Sequence, residues 1–405
     1  MERHYGWVVV AAGAVITCLA MGAMFALPVY LQPMADETGW SRAGISGAMT
    51  VGFIVMGIAG FVWGTITDRI GARPVIVTAA VILGLGLFIA SRTENLLVFQ
   101  FAYGGLVGAA GGAFFAPLIA TTLGWFDKNR SLAVSLVTLG AGVAPMTMTP
   151  LATILIEAIG WRQSMAVIGL TAVAVIIPLG FLIRSAPHVQ LQPSSSDIAP
   201  AAKEPSRIGE IFRTPQFIIL AGVFFLCCAA HSGPIFHTVS YAILCGATPL
   251  AAASIYSVEG LAGLGGRVLF GLMGDKLGVR RVIVGGLALQ AIGIYCYIYV
   301  TELQHFYMLA VVLGLVYGGV MPLYSVLARD YFGPKVMGTV LGGITMTSSI
   351  GMAFGPVGGG YLYDTYGSYH WLYIASAAVG IGAALLALVF PPKSTNDDLA
   401  TPQPA

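Results

Sequence analysis

The sequence predicts an all-α integral membrane protein with twelve transmembrane helices, arranged as two pseudo-symmetric halves of six. Three observations predict this fold class: a low content of charge, apolar runs of membrane-spanning length, and a long internal repeat. Of the 405 residues, 57% are hydrophobic and 9% are charged, whereas soluble domains carry about 25% charged residues. The chain therefore leaves no room for a soluble domain.

Apolar runs of roughly 17–25 residues, enough to cross about 30 Å of hydrocarbon, recur twelve times. They lie near residues 7–31, 43–66, 75–91, 96–123, 131–157, 163–184, 217–244, 249–274, 281–300, 306–329, 336–362 and 369–391. The first run follows Arg3 as the core of a signal peptide would, but it is too long and eleven more runs follow. We therefore expect it to remain uncleaved as the first span.

The orientation follows from the positions of the 19 Lys and Arg residues. With a cytoplasmic N-terminus, the outer loops carry only Arg42, Arg92 and Arg162, one arginine lies within a span, and the remaining fifteen lie on the inner side. Positive residues concentrate in cytoplasmic loops. Both termini are thus predicted to be cytoplasmic, in a multi-pass protein of the plasma (inner) membrane.

The internal repeat has a single offset. Residues 64–73 (GTITDRIGAR) recur as residues 271–280 (GLMGDKLGVR), 207 positions later, and Gly160 recurs as Gly367 at the same offset. Both copies fall in cytoplasmic loops, which predicts parallel halves related by an axis along the membrane normal. We predict the following division: residues 1–184, the first half; 185–213, a cytoplasmic linker; 214–393, the second half; 394–405, a cytoplasmic tail.

The repeated loop resembles the G-x-x-x-D-R/K-x-G-x-R motif that the major facilitator superfamily carries between spans two and three. The resemblance covers the whole chain and implies the major facilitator fold. In that superfamily the acidic and basic residues of the motif act in gating and in structure, and a purely structural role in capping the loop is the alternative. The matching residues are Asp68, Arg69, Arg73, Asp275, Lys276 and Arg280.

Three shorter segments resemble the branch of that superfamily with monocarboxylate transporters and the oxalate/formate exchanger: residues 5–10 (YGWVVV), 39–42 (GWSR) and 213–217 (RTPQF). This resemblance implies that an arginine of the eighth span, here Arg267, binds the substrate carboxylate. Animal monocarboxylate carriers often have an aspartate where this chain has Gly263, and the exchanger has a lysine in the eleventh span, which is absent here.

Arg267 also stands out without any resemblance, because it is the one Lys or Arg inside an apolar run. A guanidinium keeps its charge, and burying it in the bilayer costs several kcal/mol, so such residues face a partner or a water-filled path. Its counterpart 207 residues earlier is Gly60, so the architecture does not require a cation there. We predict that Arg267 binds a substrate anion; the alternative is an arginine that pairs with a backbone carbonyl or an acid and so holds two helices together.

Two further titratable residues in the spans are candidates for carrying a proton, Glu259 and His231. Glu259 lies eight residues before Arg267, about 12 Å along a helix axis, so both can line one cavity. His231 lies in the middle of the seventh span, and imidazole titrates near physiological pH. The alternatives are a neutral acid bonded to a neighbouring helix and a histidine satisfied within the core.

Aromatic side chains supply further candidates for the substrate site. Tyr317, Met321 and Tyr324 follow one another at helical spacing in the tenth span, and Phe115 lies in the fourth. In the superfamily that the chain resembles, spans one, four, seven and ten line the cavity. These side chains would give a small anion hydrogen bonds and an apolar wall; ordinary helix packing is the alternative.

The function that these observations predict is secondary active transport of a small organic anion, most consistent with proton-coupled symport of a lactate- or pyruvate-like monocarboxylate by alternating access. The main alternative is an anion exchanger of the oxalate/formate type without a proton; drug efflux, a receptor and an intramembrane enzyme rank lower. No G-x-S-x-G, H-E-x-x-H or nucleotide-binding loop occurs, so neither an enzyme nor a cofactor or metal is expected. The expected partners are the carboxylate, protons and the bilayer, without nucleic acid, and the expected state is a monomer.

Overall fold

The computed structural model describes residues 2–114, 116–126, 130–184, 211–332 and 337–391, and all regular structure within these residues is helical. Besides the α-helices there are a π-helical segment, Gln100–Val107, and a short 3-10 turn, Tyr297–Tyr299. The helices are α1 (Glu2–Phe25), α2 (Leu27–Thr38), α3 (Arg42–Ile70), α4 (Ala72–Arg92), α5 (Leu96–Phe99), α6 (Gly108–Ala113), α7 (Ala116–Trp125), α8 (Arg130–Leu182), α9 (Pro215–Leu244), α10 (Pro249–Leu277), α11 (Val279–Cys296), α12 (Leu303–Phe332), α13 (Met337–Tyr366) and α14 (His370–Leu388).

Ten helical segments of the described chain are long and apolar enough to cross a membrane. One of them lies within α8, which breaks at Gly160, where the backbone is not helical (φ 78°, ψ 162°). Helix α10 is not among the ten, since Glu259 and Arg267 lower its hydropathy. An all-helical membrane protein is thus confirmed, while the count of twelve crossings and the cytoplasmic termini stay predictions.

The 207-residue repeat is present in the backbone itself. The glycines with positive φ in the described residues form three pairs at this offset, and at such φ a Cβ atom would be strained. These pairs are Gly39 and Gly246, Gly71 and Gly278, and Gly160 and Gly367. The N-caps of α3 and α10, Ser41 and Thr248, are also 207 residues apart, and each side chain accepts a hydrogen bond from the amide three residues on. The two halves therefore start and end equivalent helices at equivalent residues.

A second equivalence lies where the helices reach the inner side. The indole Nε1 of Trp125 donates to the carbonyl of Arg184 at 2.7 Å, and the hydroxyl of Tyr331 donates to the carbonyl of Pro391 at 2.9 Å. The donors are 206 residues apart and the acceptors 207. In each half, this bond ties the end of the fourth predicted span to the end of the sixth.

The two halves join at one end of the bundle, which we call the outer end because it carries Arg42, Arg92 and Arg162. One continuous cluster of buried side chains runs from the N-terminal half, for example Tyr30, into the C-terminal half as far as Tyr297. The inner part of the C-terminal half has its own separate cluster, which includes Leu327. The hydrophobic core thus bridges the halves at the outer end and divides towards the inner end.

Candidate functional site

A cavity lies between the two halves, where α8 faces α9, α10 and α12. Its volume is about 130 Å³, roughly ten times the 10–15 Å³ that a single water needs. Its lining consists of Gly142, Pro145, His231, Ile235, Tyr256, Glu259, Gly260, Gly263, Leu264, Arg267, Gly314, Tyr317 and Gly318. The cavity therefore has room for a small organic ion.

Helix α10 supplies the largest part of this lining, as a single stripe. The spacing of three and four residues is that of one face of an α-helix, while Leu261 and Val268 point elsewhere and are exposed. The stripe consists of Tyr256, Glu259, Gly260, Gly263, Leu264 and Arg267. Glu259 and Arg267 thus line one cavity.

Arg267 reaches the cavity with an exposed side chain. In the part of the chain that the structure describes, no salt bridge or hydrogen bond of its guanidinium is found. A guanidinium presents five N–H donors in a planar fork that matches a carboxylate. The geometry therefore leaves this cation available to a bound anion.

Glu259 and His231 meet on the wall of the cavity. Atom Nε2 of His231 lies 3.4 Å from Oε1 of Glu259, and the side chains are only 1% and 7% exposed. The contact lacks hydrogen-bond geometry, and neither ring nitrogen nor this carboxylate oxygen has a hydrogen-bond partner among the described residues. Buried polar atoms are normally satisfied, so a pair with free capacity that lines a cavity is suited to receive a proton or a ligand.

Tyr317, on α12, lies beside this pair at the cavity. Its ring stacks on the imidazole of His231 with the centroids 3.7 Å apart and the planes 8° from parallel. The hydroxyl donates to the sulfur of Met352 at 3.6 Å, a weak acceptor. The stacking fixes the plane of His231 and hence the direction of its nitrogen atoms.

The other predicted aromatic and thioether candidates are not brought together with these residues. Tyr324 is buried and stacks on Phe224, with the centroids 4.2 Å apart. Met321 packs against the inner cluster of the C-terminal half, and neither residue is in the lining of the cavity. Phe115 lies outside the described residues. Of the candidates on α12, Tyr317 alone therefore lies at the cavity; Met321 and Tyr324 follow about one and two turns further along the same helix face, beyond the described lining.

Several residues of the lining, among them Leu264, were absent from the candidates chosen from sequence. Tyr256 lies three residues before Glu259, a spacing that places both on one helix face and that would have identified it. Gly142 and Pro145 come from α8 and are the only contribution of the N-terminal half in the described lining. Neither residue type has a chemical signature, so the sequence gives no reason to select them.

The repeated loop motif lies away from the cavity. Arg73 Nε donates to the carbonyl of Ile183 at 3.3 Å, and the guanidinium carbon of Arg280 lies 5.6 Å from the ring centroid of Tyr331. Both contacts remain within one half. The side chain of Asp68 is outside the described residues, and the motif residues with exposed side chains are Arg69, Asp275 and Lys276. A role of these residues in gating stays a prediction.

The outer end of the bundle is closed by contacts between the halves. The carboxylate of Asp364, on α13, accepts hydrogen bonds from the amides of Arg42 (3.1 Å) and Ala43 (2.8 Å). These amides belong to the first turn of α3, where a negative charge also meets the positive end of the helix dipole. A carboxylate of the C-terminal half thus caps a helix of the N-terminal half.

The side chain of Arg42 extends this closure. Its Nη1 donates to the hydroxyl of Tyr369 at 2.8 Å, and its guanidinium lies 4.1 Å from the ring centroid of Tyr363. Atom Nε2 of His237 lies 2.8 Å from the carbonyl of Pro356 and donates to it, so Nδ1 accepts from Tyr369, 3.2 Å away. The hydroxyl of Tyr369 thus accepts a hydrogen bond from Arg42 and donates one to His237.

Comparison with known proteins assigns the family. The profile of the Major Facilitator Superfamily matches residues 13–272 and 244–405. Monocarboxylate transporter 13 of Rattus norvegicus is 24% identical over 408 residues, which span 100% of this chain and 93% of the relative. The uncharacterized MFS-type transporter YhjX of Escherichia coli (strain K12) is 24% identical over 84% of each chain.

Solved structures agree with this assignment at the level of the fold. A bacterial homolog of the human lysosomal transporter Spinster, in an inward-facing and unoccupied conformation, matches with a TM-score of 0.81 and 14% identity over 95% of this chain and 97% of that one. The nucleoside transporter NupG matches with a TM-score of 0.77 and 12% identity over 95% and 100%. The matched profile spans most of the sequence, and the protein therefore belongs to the Major Facilitator Superfamily, as a multi-pass membrane transporter related to the monocarboxylate transporters and not an enzyme.

Proposed function

We propose that the protein is a secondary active transporter that moves a small monocarboxylate together with a proton across the plasma (inner) membrane by alternating access. One observation carries the proposal: the guanidinium of Arg267, which has no salt bridge or hydrogen bond in the described part of the chain, lines the same cavity as the Glu259–His231 pair. The relationship to monocarboxylate transporters supports the choice of substrate class.

The charge of the cavity favours a monoanion. Arg267 is the one residue of its lining that is always charged. A single carboxylate bound to it leaves no net charge, which suits a site of low dielectric constant. A second carboxylate of the substrate would have no cation in the described lining, and an uncompensated buried charge costs several kcal/mol.

The proton is assigned to Glu259 and His231 as a unit. With one titratable proton bound, the pair has no net charge: either both side chains are neutral, or a carboxylate faces an imidazolium. When that proton is absent, the pair is negative and lies in the same cavity as the substrate anion. Proton and anion therefore bind more strongly together than apart, and this coupling acts equally in both directions.

Alternating access is supported by the way the halves meet. Contacts of Arg42 and Asp364 close the outer end, and the hydroxyl of Ser257 donates to the carbonyl of Met146 at 3.3 Å, beside the cavity. All polar side chains of the described lining belong to the C-terminal half. Rocking of the N-terminal half would therefore move the apolar wall of the site and leave its polar groups together.

The test is uptake of labelled lactate by proteoliposomes, with liposomes lacking protein as background. We expect accumulation above the external concentration when the outside is acidic, and loss of the accumulation when a protonophore collapses the gradient. Absence of uptake with and without the gradient would contradict the proposal.

The exchanger without proton coupling remains the second candidate, because α10 has Gly263 where animal monocarboxylate carriers often have an acid. It predicts that uptake requires a carboxylate loaded inside the liposomes and does not respond to the pH gradient. The same preparation distinguishes the two functions when internal lactate is present or omitted.

A further inference from the structure

We infer that Gly142 and Leu264, which face each other across the two halves, set the largest substrate that the cavity accepts. This inference rests on the proposed transport of monocarboxylates and adds the residues that select among them. Both residues line the cavity, Gly142 from α8 and Leu264 from α10.

A side chain at Gly142 would meet α10. Its Cβ atom would lie 3.1 Å from Cδ2 of Leu264, the one heavy atom of the described residues within 4 Å beyond its own helix backbone and chain neighbours. That atom is the end of a flexible side chain. A methyl group at Gly142 can therefore be accommodated when Leu264 turns aside, and either the methyl or the displaced leucine takes up volume of the cavity.

Two other glycines of the lining have a different role. A Cβ at Gly314 would collide with the carbonyl oxygen of Glu259, and one at Gly318 with the backbone of Gly263. Backbone atoms cannot turn aside, so these two glycines permit the close approach of α12 to α10. Gly142 differs from them, since among the described residues a Cβ there would meet only the end of a side chain that lines the cavity.

The position of the pair also makes it suitable for selection by size. In the described lining, the N-terminal half contributes only Gly142 and Pro145, which lie opposite the polar stripe of α10. A carboxylate held by Arg267 has to place its alkyl body against this wall. In an apolar pocket, one methylene discriminates between substrates by roughly 10- to 200-fold.

The experiment measures uptake of 2-hydroxy acids with two to five carbons, each corrected for liposomes without protein. We expect Gly142→Ala to reduce uptake of the longest accepted acid by at least about tenfold relative to the two-carbon acid. Leu264→Ala is expected to extend uptake to acids with longer chains. In the double variant the added and removed volumes oppose each other, so the preference should return towards that of the wild type.

Gly382→Ala serves as the matched control, because a Cβ there meets no atom within 4 Å and the residue is not in the lining. An equal fall in uptake of all acids in Gly142→Ala, or an unchanged preference in both single variants, would overturn the inference. If Gly142→Ala does not fold, an unchanged preference in Leu264→Ala alone overturns it. Absence of uptake of every acid by the wild type would instead refute the proposed function.

Discussion

Atom Nε2 of His231 lies 3.4 Å from Oε1 of Glu259, on the wall of a cavity that Arg267 also lines. The two residues belong to α9 and α10, 28 positions apart in sequence. The two candidates for carrying the proton are thus in contact and form one unit. The ring of Tyr317 stacks on the histidine. The chemistry of the pair follows from the free hydrogen-bonding capacity of both ring nitrogens and of this carboxylate oxygen, none of which has a hydrogen-bond partner in the described parts of the chain.

The first prediction concerns the pH dependence of uptake. Glu259→Gln retains the shape and removes the titrating carboxyl, so uptake should lose most of its acceleration at acidic external pH. His231→Ala should have a similar effect, since it removes the other member of the pair. Initial rates of lactate uptake between pH 5.5 and pH 8 test this, with Glu302→Gln, an exposed acid of an outer loop, as the control. Wild-type pH dependence in both single variants and in the double variant would show that the proton is carried elsewhere.

The second prediction concerns the closure of the outer end. Asp364→Ala removes the acceptor for the amides of Arg42 and Ala43, and loss of such a cap costs about 1 kcal/mol. The equilibrium should shift about fivefold towards the outward-open state. Spin labels on cysteines that replace Glu94 and Glu302, in a background without the native cysteines, should then report a larger population of long distances.

Glu157→Ala is the control for this measurement, since Glu157 is an exposed acid of α8 near the same outer end. Its distance distribution should match that of the wild type. An unchanged distribution in Asp364→Ala would mean that the cap does not contribute to holding the halves together.

The third prediction concerns substrate charge. Lactate and pyruvate should compete for uptake of labelled lactate at concentrations where oxalate and succinate do not, because a second carboxylate has no cation in the described lining. The discrimination should be at least about 100-fold, given a cost of several kcal/mol for an uncompensated buried charge. Competition by oxalate at the same concentration as lactate would contradict the monoanion assignment and favour the exchanger.

Much of the fold follows from the sequence because it depends on local or repeated features. The glycines at 71 and 278 are needed for positive φ, and their offset is visible in the sequence. The stripe that contains Glu259 and Arg267 follows from the period of one helix. Features that depend on how helices rotate against each other could not be predicted in this way.

The contact of His231 with Glu259 is one such feature, because the spacing within α9 and within α10 does not state which faces meet. The extent of the cavity along α12 could not be predicted either: Tyr317 lies at the cavity, whereas Tyr324, about two turns further along the same helix face, stacks in the core on Phe224. The bonds of Arg42 join it to residues more than 300 positions away. They depend on how the two halves meet, which the sequence of a single helix does not indicate.

The proposed function depends most on Arg267, which we expect to bind the carboxylate of the substrate. Arg267→Gln removes the charge and the bidentate fork, while Arg267→Lys retains a charge without the fork. The most direct measurement is binding of lactate to the purified variants, with thermal unfolding as a check that each is folded. We predict that Arg267→Gln weakens binding by roughly 100-fold or more, the loss expected for a desolvated charge partner, and that Arg267→Lys falls between. Lactate binding to folded Arg267→Gln with the affinity of the wild type would contradict the account and leave Arg267 a structural residue.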